Sequence, residues 1–75
     1  MKFKFKKNDI VRIKILPDNE YLEYSPDFED FKLKKGMKGK INVILPNGKY
    51  HIEIMNDKDE IVAYAPFDES QIEEY

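Results

Sequence analysis

The chain has 75 residues, with 13 Lys/Arg against 15 Asp/Glu and a formal charge of −2. That is too little chain to pack two cores, so a single domain over residues 1–75 is expected. With neither cysteine nor tryptophan, disulfide frameworks, thiolate nucleophiles, zinc fingers and iron–sulfur clusters are excluded. A 41% apolar share beside 37% charged residues suits a folded domain rather than a disordered or membrane one. The longest apolar run, Ile61 to Phe67, is far below the roughly 20 residues of a membrane helix. Met1 to Lys7 alternates basic and apolar residues instead of running apolar after a basic start, so no secretory signal, and hence a cytoplasmic location, is expected.

Charge is divided along the chain. Residues 1–40 hold 11 Lys/Arg against 7 Asp/Glu, net +4, and residues 41–75 hold 2 against 8, net −6. Pairing between the two halves across neighbouring strands is the expected use of this division. A dedicated binder of phosphate backbones carries a clear basic surplus.

Period-two alternation dominates and predicts an all-β fold. Phe3 and Phe5 alternate with Lys2, Lys4 and Lys6, a turn follows at Asn8-Asp9, and Val11, Ile13 and Ile15 share one face of the next run. From Leu16 to about Lys35 no period is clear and Pro17 and Pro26 intervene, which predicts a long excursion. Gly36 fits a turn needing positive φ, and Gly39 a strand that bends or is closely approached. A strand from about Met37 to Leu45 leads to Pro46-Asn47-Gly48, the strongest hairpin signal in the chain. Setting Leu45 opposite Tyr50 places Val43 opposite Ile52 and Ile41 opposite Ile54. All six apolar side chains then share a face, with Lys40, Asn42, Ile44, His51, Glu53 and Met55 outward. A three-residue loop with a glycine bulge sets Val43 against His51 instead, and the hydrophobic pattern argues against it. After the charged turn Asn56 to Glu60, Ile61 to Ala65 forms a strand that Pro66 stops or confines to an edge. Asp68 to Gln71 reads as a single helical turn before Ile72 and Tyr75 close the sheet. Five short strands in so short a chain predict a small closed barrel, since closure removes exposed edges.

The succession of "KKNDIVRIK", a long excursion, "LKKGMKGKI", a hairpin and "DESQIEEY" resembles the SH3-like small barrels of bacteria. It is most similar to an uncharacterised bacterial family with an Asp-x-Val strand followed by Lys-Gly-x-x-Gly-x-Ile, here Asp9, Val11, Lys35, Gly36, Gly39 and Ile41. The resemblance implies a five-stranded SH3-like barrel, and lends no activity. A similar arrangement occurs in the barrel of the nitrile hydratase β subunit and in accessory subunits of photosynthetic electron transfer, which implies contact rather than catalysis. The Ala-Leu-Tyr-Asp-Tyr stretch and paired tryptophans of signalling SH3 domains are absent. The Gly39-Lys40-Ile41 segment also resembles ribosome-associated KOW barrels, from which the acidic second half departs.

No spacing of residues names a reaction. His51 is the sole histidine and is expected on an outer strand face without a second ligand. Ser25 and Ser70, the only serines, carry no triad signature. Asp57-x-Asp59 lacks the glycine and distal glutamate of a calcium loop. The chain is therefore expected to be no enzyme and to take no metal or cofactor. The excursion differs: from Asp18 to Phe31 it gathers six acids (Asp18, Glu20, Glu23, Asp27, Glu29, Asp30) and four aromatics (Tyr21, Tyr24, Phe28, Phe31). Aromatics supply contact area at low entropic cost, and acids around them select a basic partner. The expected protein-binding surface comprises Tyr21, Tyr24, Phe28, Glu29, Asp30 and Phe31 with the adjoining Tyr64, Phe67 and Tyr75. Phe28 and Phe31 could equally fold over the barrel end as core. The partner is a protein with a basic surface, bound in the manner of an inhibitor, immunity protein or accessory subunit, and a weak homodimer contact is a further way to add stability. The alternative is a KOW-like nucleic-acid or ribosome contact through Arg12, Lys32, Lys34, Lys35, Lys38 and Lys40. Such lysines are more often a solvated defence of a sheet edge.

Overall fold

The computed structural model of the chain describes residues 3–75, with Asn19 through its backbone only. Lys2, the first member of the expected N-terminal alternation, lies outside the described residues. The strands are β1 (Ile10–Ile13), β2 (Glu23–Tyr24), β3 (Lys38–Ile44), β4 (Tyr50–Met55), β5 (Ile61–Phe67) and β6 (Ile72–Glu74). They form one antiparallel sheet in the order β2-β5-β4-β3-β1-β6. Three short 3-10 turns complete the regular structure, and no helix among the described residues is long and apolar enough to cross a membrane.

Alternation determines what is inside. Val11 and Ile13 of β1, Ile41 of β3, Tyr50, Ile52 and Ile54 of β4, Ala63, Ala65 and Phe67 of β5, and Ile72 of β6 make one buried cluster, joined by Val62 and Phe5. The large side chains of β4 meet small ones on β5, Ile54 opposite Ala63 and Ile52 opposite Ala65, so the inner face fills without overpacking. Gly36 and Gly48 adopt φ of +91° and +86°, which only glycine takes up without strain.

Four expectations are corrected. The sheet is not closed into a ring: β2 and β6 end the strand order without pairing to each other. Six strands rather than five form, because two residues of the excursion pair with β5. Phe3 and Phe5 form no strand. Instead Lys6 N–H donates to Asp9 Oδ2 at 2.8 Å and Asp9 N–H to the Lys6 carbonyl at 3.1 Å, making a turn that swings buried Phe5 edge-on to Tyr50, centroids 5.7 Å apart.

The fourth correction is the hairpin register. Leu45 N–H donates to the Lys49 carbonyl at 2.8 Å and Gly48 N–H to the Leu45 carbonyl at 2.9 Å, so Pro46-Asn47-Gly48 is a three-residue loop with a glycine bulge. Val43 therefore lies opposite His51, 42% exposed, while Ile52 is wholly buried on the other face. The register shifts between Ile41 and Val43. Asn42 is the extra residue, which lets Ile41 keep Ile52 as its partner before the alternation inverts. Ile44 consequently packs against the core, and Met55, also expected outward, is buried where β4 and β5 shift register.

Elsewhere the local expectations hold. Asp68 N–H donates to Gln71 Oε1 at 2.8 Å, closing the helical turn Glu69–Gln71 that feeds β6. β5 continues through Pro66, but β2 flanks it only at Ala63 and Tyr64, so the missing N–H of Pro66 falls where the strand has a free edge. Arg12–Glu73 at 3.9 Å and Lys38–Asp59 join the basic half of the chain to the acidic half.

Candidate functional site

The excursion between β1 and β3 is folded onto the end of the sheet. Ser25 anchors it: its N–H donates to the Val62 carbonyl and its Oγ to the Ile61 carbonyl, both at 2.9 Å. β2 continues that ladder, with Glu23 opposite Tyr64 and Tyr24 opposite Ala63. Pro26 then begins a 3-10 turn, as its fixed φ allows, in which Phe28 N–H donates to the Ser25 carbonyl at 2.8 Å. Leu22, Tyr24, Phe28, Phe31 and Leu33 pack against the core cluster, the two phenylalanines edge to face with centroids 6.2 Å apart.

This folding sorts the expected partner-binding residues. Phe28 and Phe31 take the core role, half-buried, and so does Tyr24. Phe67 is completely buried and contributes nothing to a surface: its place in β5 opposite Tyr50 points it inward, a consequence of the period continuing through Pro66. Tyr64 lies on the outer face, stacked on His51 with centroids 6.2 Å apart and planes 16° apart. Tyr21 and Tyr75 are each 61% exposed, but the Tyr75 ring lies under the Arg12 guanidinium at 4.9 Å and the Lys38 ammonium at 5.9 Å. Tyr21 thus remains the exposed aromatic of the excursion.

The acids sort differently. Asp18 Oδ1 accepts the Glu20 N–H at 3.1 Å and is used locally. Glu20, Glu23, Asp27, Glu29 and Asp30 are exposed. Among the described residues, no ion pair or side-chain hydrogen bond engages any of the five.

The basic segment is partly neutralised. Lys38 is bound by Asp59, whose carboxylate holds the ammonium pKa above its ordinary value. Lys40 lies opposite Glu53 and Arg12 opposite Glu73, while Lys32, Lys34 and Lys35 stay exposed.

Where the excursion returns, it borders a groove of about 640 Å³ between Asp30–Lys34, the start of β3, the β4–β5 turn and Tyr75. Phe31, Met37 and Met55 give it an apolar lining, and Asp30, Asp57, Lys32 and Lys34 a rim of both signs. The sequence reading missed Met37, Met55 and Asp57 as neighbours, since Met55 is buried directly after buried Ile54, at a β4–β5 register shift that breaks the alternation.

Family models, curated proteins and solved structures give no match to the chain. Chemistry must be read from its own side chains. The Ser25 hydroxyl is committed to the Ile61 carbonyl. His51 Nδ1 lies 3.2 Å from Asn42 Nδ2, which donates to the ring when that nitrogen is unprotonated. No group of three metal-ligating side chains occurs among the described residues.

Proposed function

We propose that the chain is a non-catalytic protein-binding module whose excursion engages a basic surface of another protein. One observation carries this reading: the excursion that presents the exposed Tyr21 also carries five exposed carboxylates without a cationic partner among the described residues. The anchoring of Ser25 to β5 and the packing of Phe28 and Phe31 support it, because a pre-ordered loop spends little conformational entropy on association. Unpaired surface charge of one sign speeds encounter with an opposite partner. An inhibitor, immunity protein or accessory subunit would use such a surface.

The plan we assign to the sheet is the SH3-like small barrel. Its support is the order β5-β4-β3-β1-β6 of the five longer strands, with a long excursion after the first and a 3-10 turn before the last. Fold analogy alone would lend no activity, and the Ser25 hydroxyl is committed to the Ile61 carbonyl. The KOW-like alternative has weaker support, since Arg12, Lys38 and Lys40 face carboxylates.

The test is affinity recovery of partners from a native extract by the tagged protein, with and without nuclease. A nuclease-resistant protein should be recovered, lost on Tyr21→Ala combined with Glu29→Lys and Asp30→Lys, and retained on Lys34→Glu with Lys35→Glu. Recovery of nuclease-sensitive material alone would overturn the proposal.

A further inference from the structure

The β3–β4 loop is used by neither the core nor the excursion, yet it holds a reactive pair, Asn47-Gly48. We infer that Asn47 is a site of spontaneous covalent modification in the folded protein, converted through a cyclic imide to aspartate and isoaspartate.

Asn47 is exposed at the loop tip. Its Oδ1 accepts the Lys49 N–H at 3.0 Å, folding the carboxamide back over the following peptide. Gly48 has no side chain to obstruct approach to Asn47 Cγ, and the place where a Cβ would stand has no heavy atom within 4 Å. In the reaction the Gly48 backbone nitrogen attacks Asn47 Cγ, forming a C–N bond and a five-membered ring. The Gly48 amide proton passes to water, and the carboxamide nitrogen leaves as ammonia once protonated. Negative charge develops on Oδ1 during the attack, and the Lys49 N–H already points at that atom, as an oxyanion-stabilising donor does. One water then opens the imide at either carbonyl, so that amide and water become carboxylate and ammonium. The opposing influence is the Gly48 N–H bond to the Leu45 carbonyl at 2.9 Å, which must open as the nitrogen attacks.

The same chain contains its own controls. Asn8, Asn42 and Asn56 precede Asp9, Val43 and Asp57, whose side chains crowd the attacking nitrogen. Asn56 shares the contact to the second following N–H, from Lys58 at 2.9 Å, but its carboxamide is pinned on both sides, Oδ1 accepting also from Glu60 N–H at 3.0 Å and Nδ2 donating to Glu60 Oε1 at 2.9 Å. The isoaspartyl product adds a carbon to the main chain inside the loop, which disrupts the turn between Leu45 and Gly48, and places a new carboxylate beside Lys49, whose Nζ lies 3.4 Å from Asp68.

Folded protein is incubated in mildly alkaline buffer, digested and mapped by mass, with released ammonia assayed and isoaspartate labelled by an isoaspartyl methyltransferase. Fragment masses should place the gain of amide-to-acid conversion and the label at Asn47, ahead of every other asparagine, including Asn42 in the same peptide. Asn47→Ser should abolish the early ammonia release. Persistence of that release in Asn47→Ser, conversion of Asn56 as fast as Asn47, or an unchanged Asn47 over the time in which urea-unfolded protein converts it would each overturn the inference.

Discussion

Replacing Gly39 with alanine should destabilise the protein through one identifiable collision. Gly39 is buried in β3, opposite Val11 on β1 and Ile54 on β4. A Cβ there would stand 2.6 Å from Ile52 Cγ2, with the Glu53 carbonyl and Val11 Cγ2 each at 3.7 Å. Non-bonded carbons rest about 3.5–4.0 Å apart, so Ile52 would have to retreat by on the order of 1 Å. Its route is closed, because Ile52 is fully buried with Ala65 opposite on β5, and a β-branched side chain has little freedom at χ1. Alanine stiffens the unfolded chain, which favours folding by about 0.4–1 kcal/mol. Overpacking costs about 1–3 kcal/mol and should prevail. Against a total of roughly 4–11 kcal/mol for a chain of this length, that is a substantial fraction, and each kcal/mol should lower Tm by about 4–8 °C. Urea unfolding of wild type, Gly39→Ala, Ile52→Leu and the double variant forms the assay. Leucine carries no methyl at the Cγ2 position, so the alanine penalty should fall by at least half in the Ile52→Leu background. An unchanged midpoint for Gly39→Ala, or the full penalty retained in the double variant, would refute the collision.

Val43→Ser should change stability by less than about 0.5 kcal/mol, whereas Ile41→Ala should cost about 2–5 kcal/mol; denaturation midpoints in the opposite order would disprove the bulge at Asn42. Tyr21→Ala should leave stability nearly unchanged while Phe67→Ala costs about 3–5 kcal/mol, and a large thermal shift for Tyr21→Ala would show that Tyr21 is no surface residue. Burial, reinforced by the Glu69 carboxylate that accepts the phenol O–H at 3.0 Å, pushes the Tyr50 phenol above its ordinary 10.0. Below pH 10.0 this contribution is fully present; above it the unfolded chain loses its proton first, so stability falls as pH rises through the folded pKa. Wild type should therefore lose stability more steeply than Tyr50→Phe above that pH, and parallel profiles would contradict the assignment.

Much of the fold was legible because its signals are local. Alternation named Val11, Ile13, Ile41, Ile52 and Ile54 as core, Gly36 and Gly48 marked positive φ, and Asp68 to Gln71 announced its turn. The candidate site was legible only in composition. Acids and aromatics crowd the excursion in sequence, yet which of them face solvent depends on contacts with β5, 36 positions away from Ser25 to Ile61 and continued at Val62.

Period-two patterning and turn chemistry act between neighbours, so the amino-acid order alone dictated most of the extended strands, the inward residues away from the bulges and the places where the chain reverses. Bulges, strand partners and the burial of Tyr24, Phe28 and Phe31 arise from competition among distant segments for one small core. Inserting Asn42 as an unpaired residue reverses Val43 and Ile44 without altering a single local preference. Only the assembled sheet could choose that register, because the gain from burying Ile41, Ile52 and Ile44 against the residues of β1, β5 and β6 exists nowhere in the hairpin taken by itself.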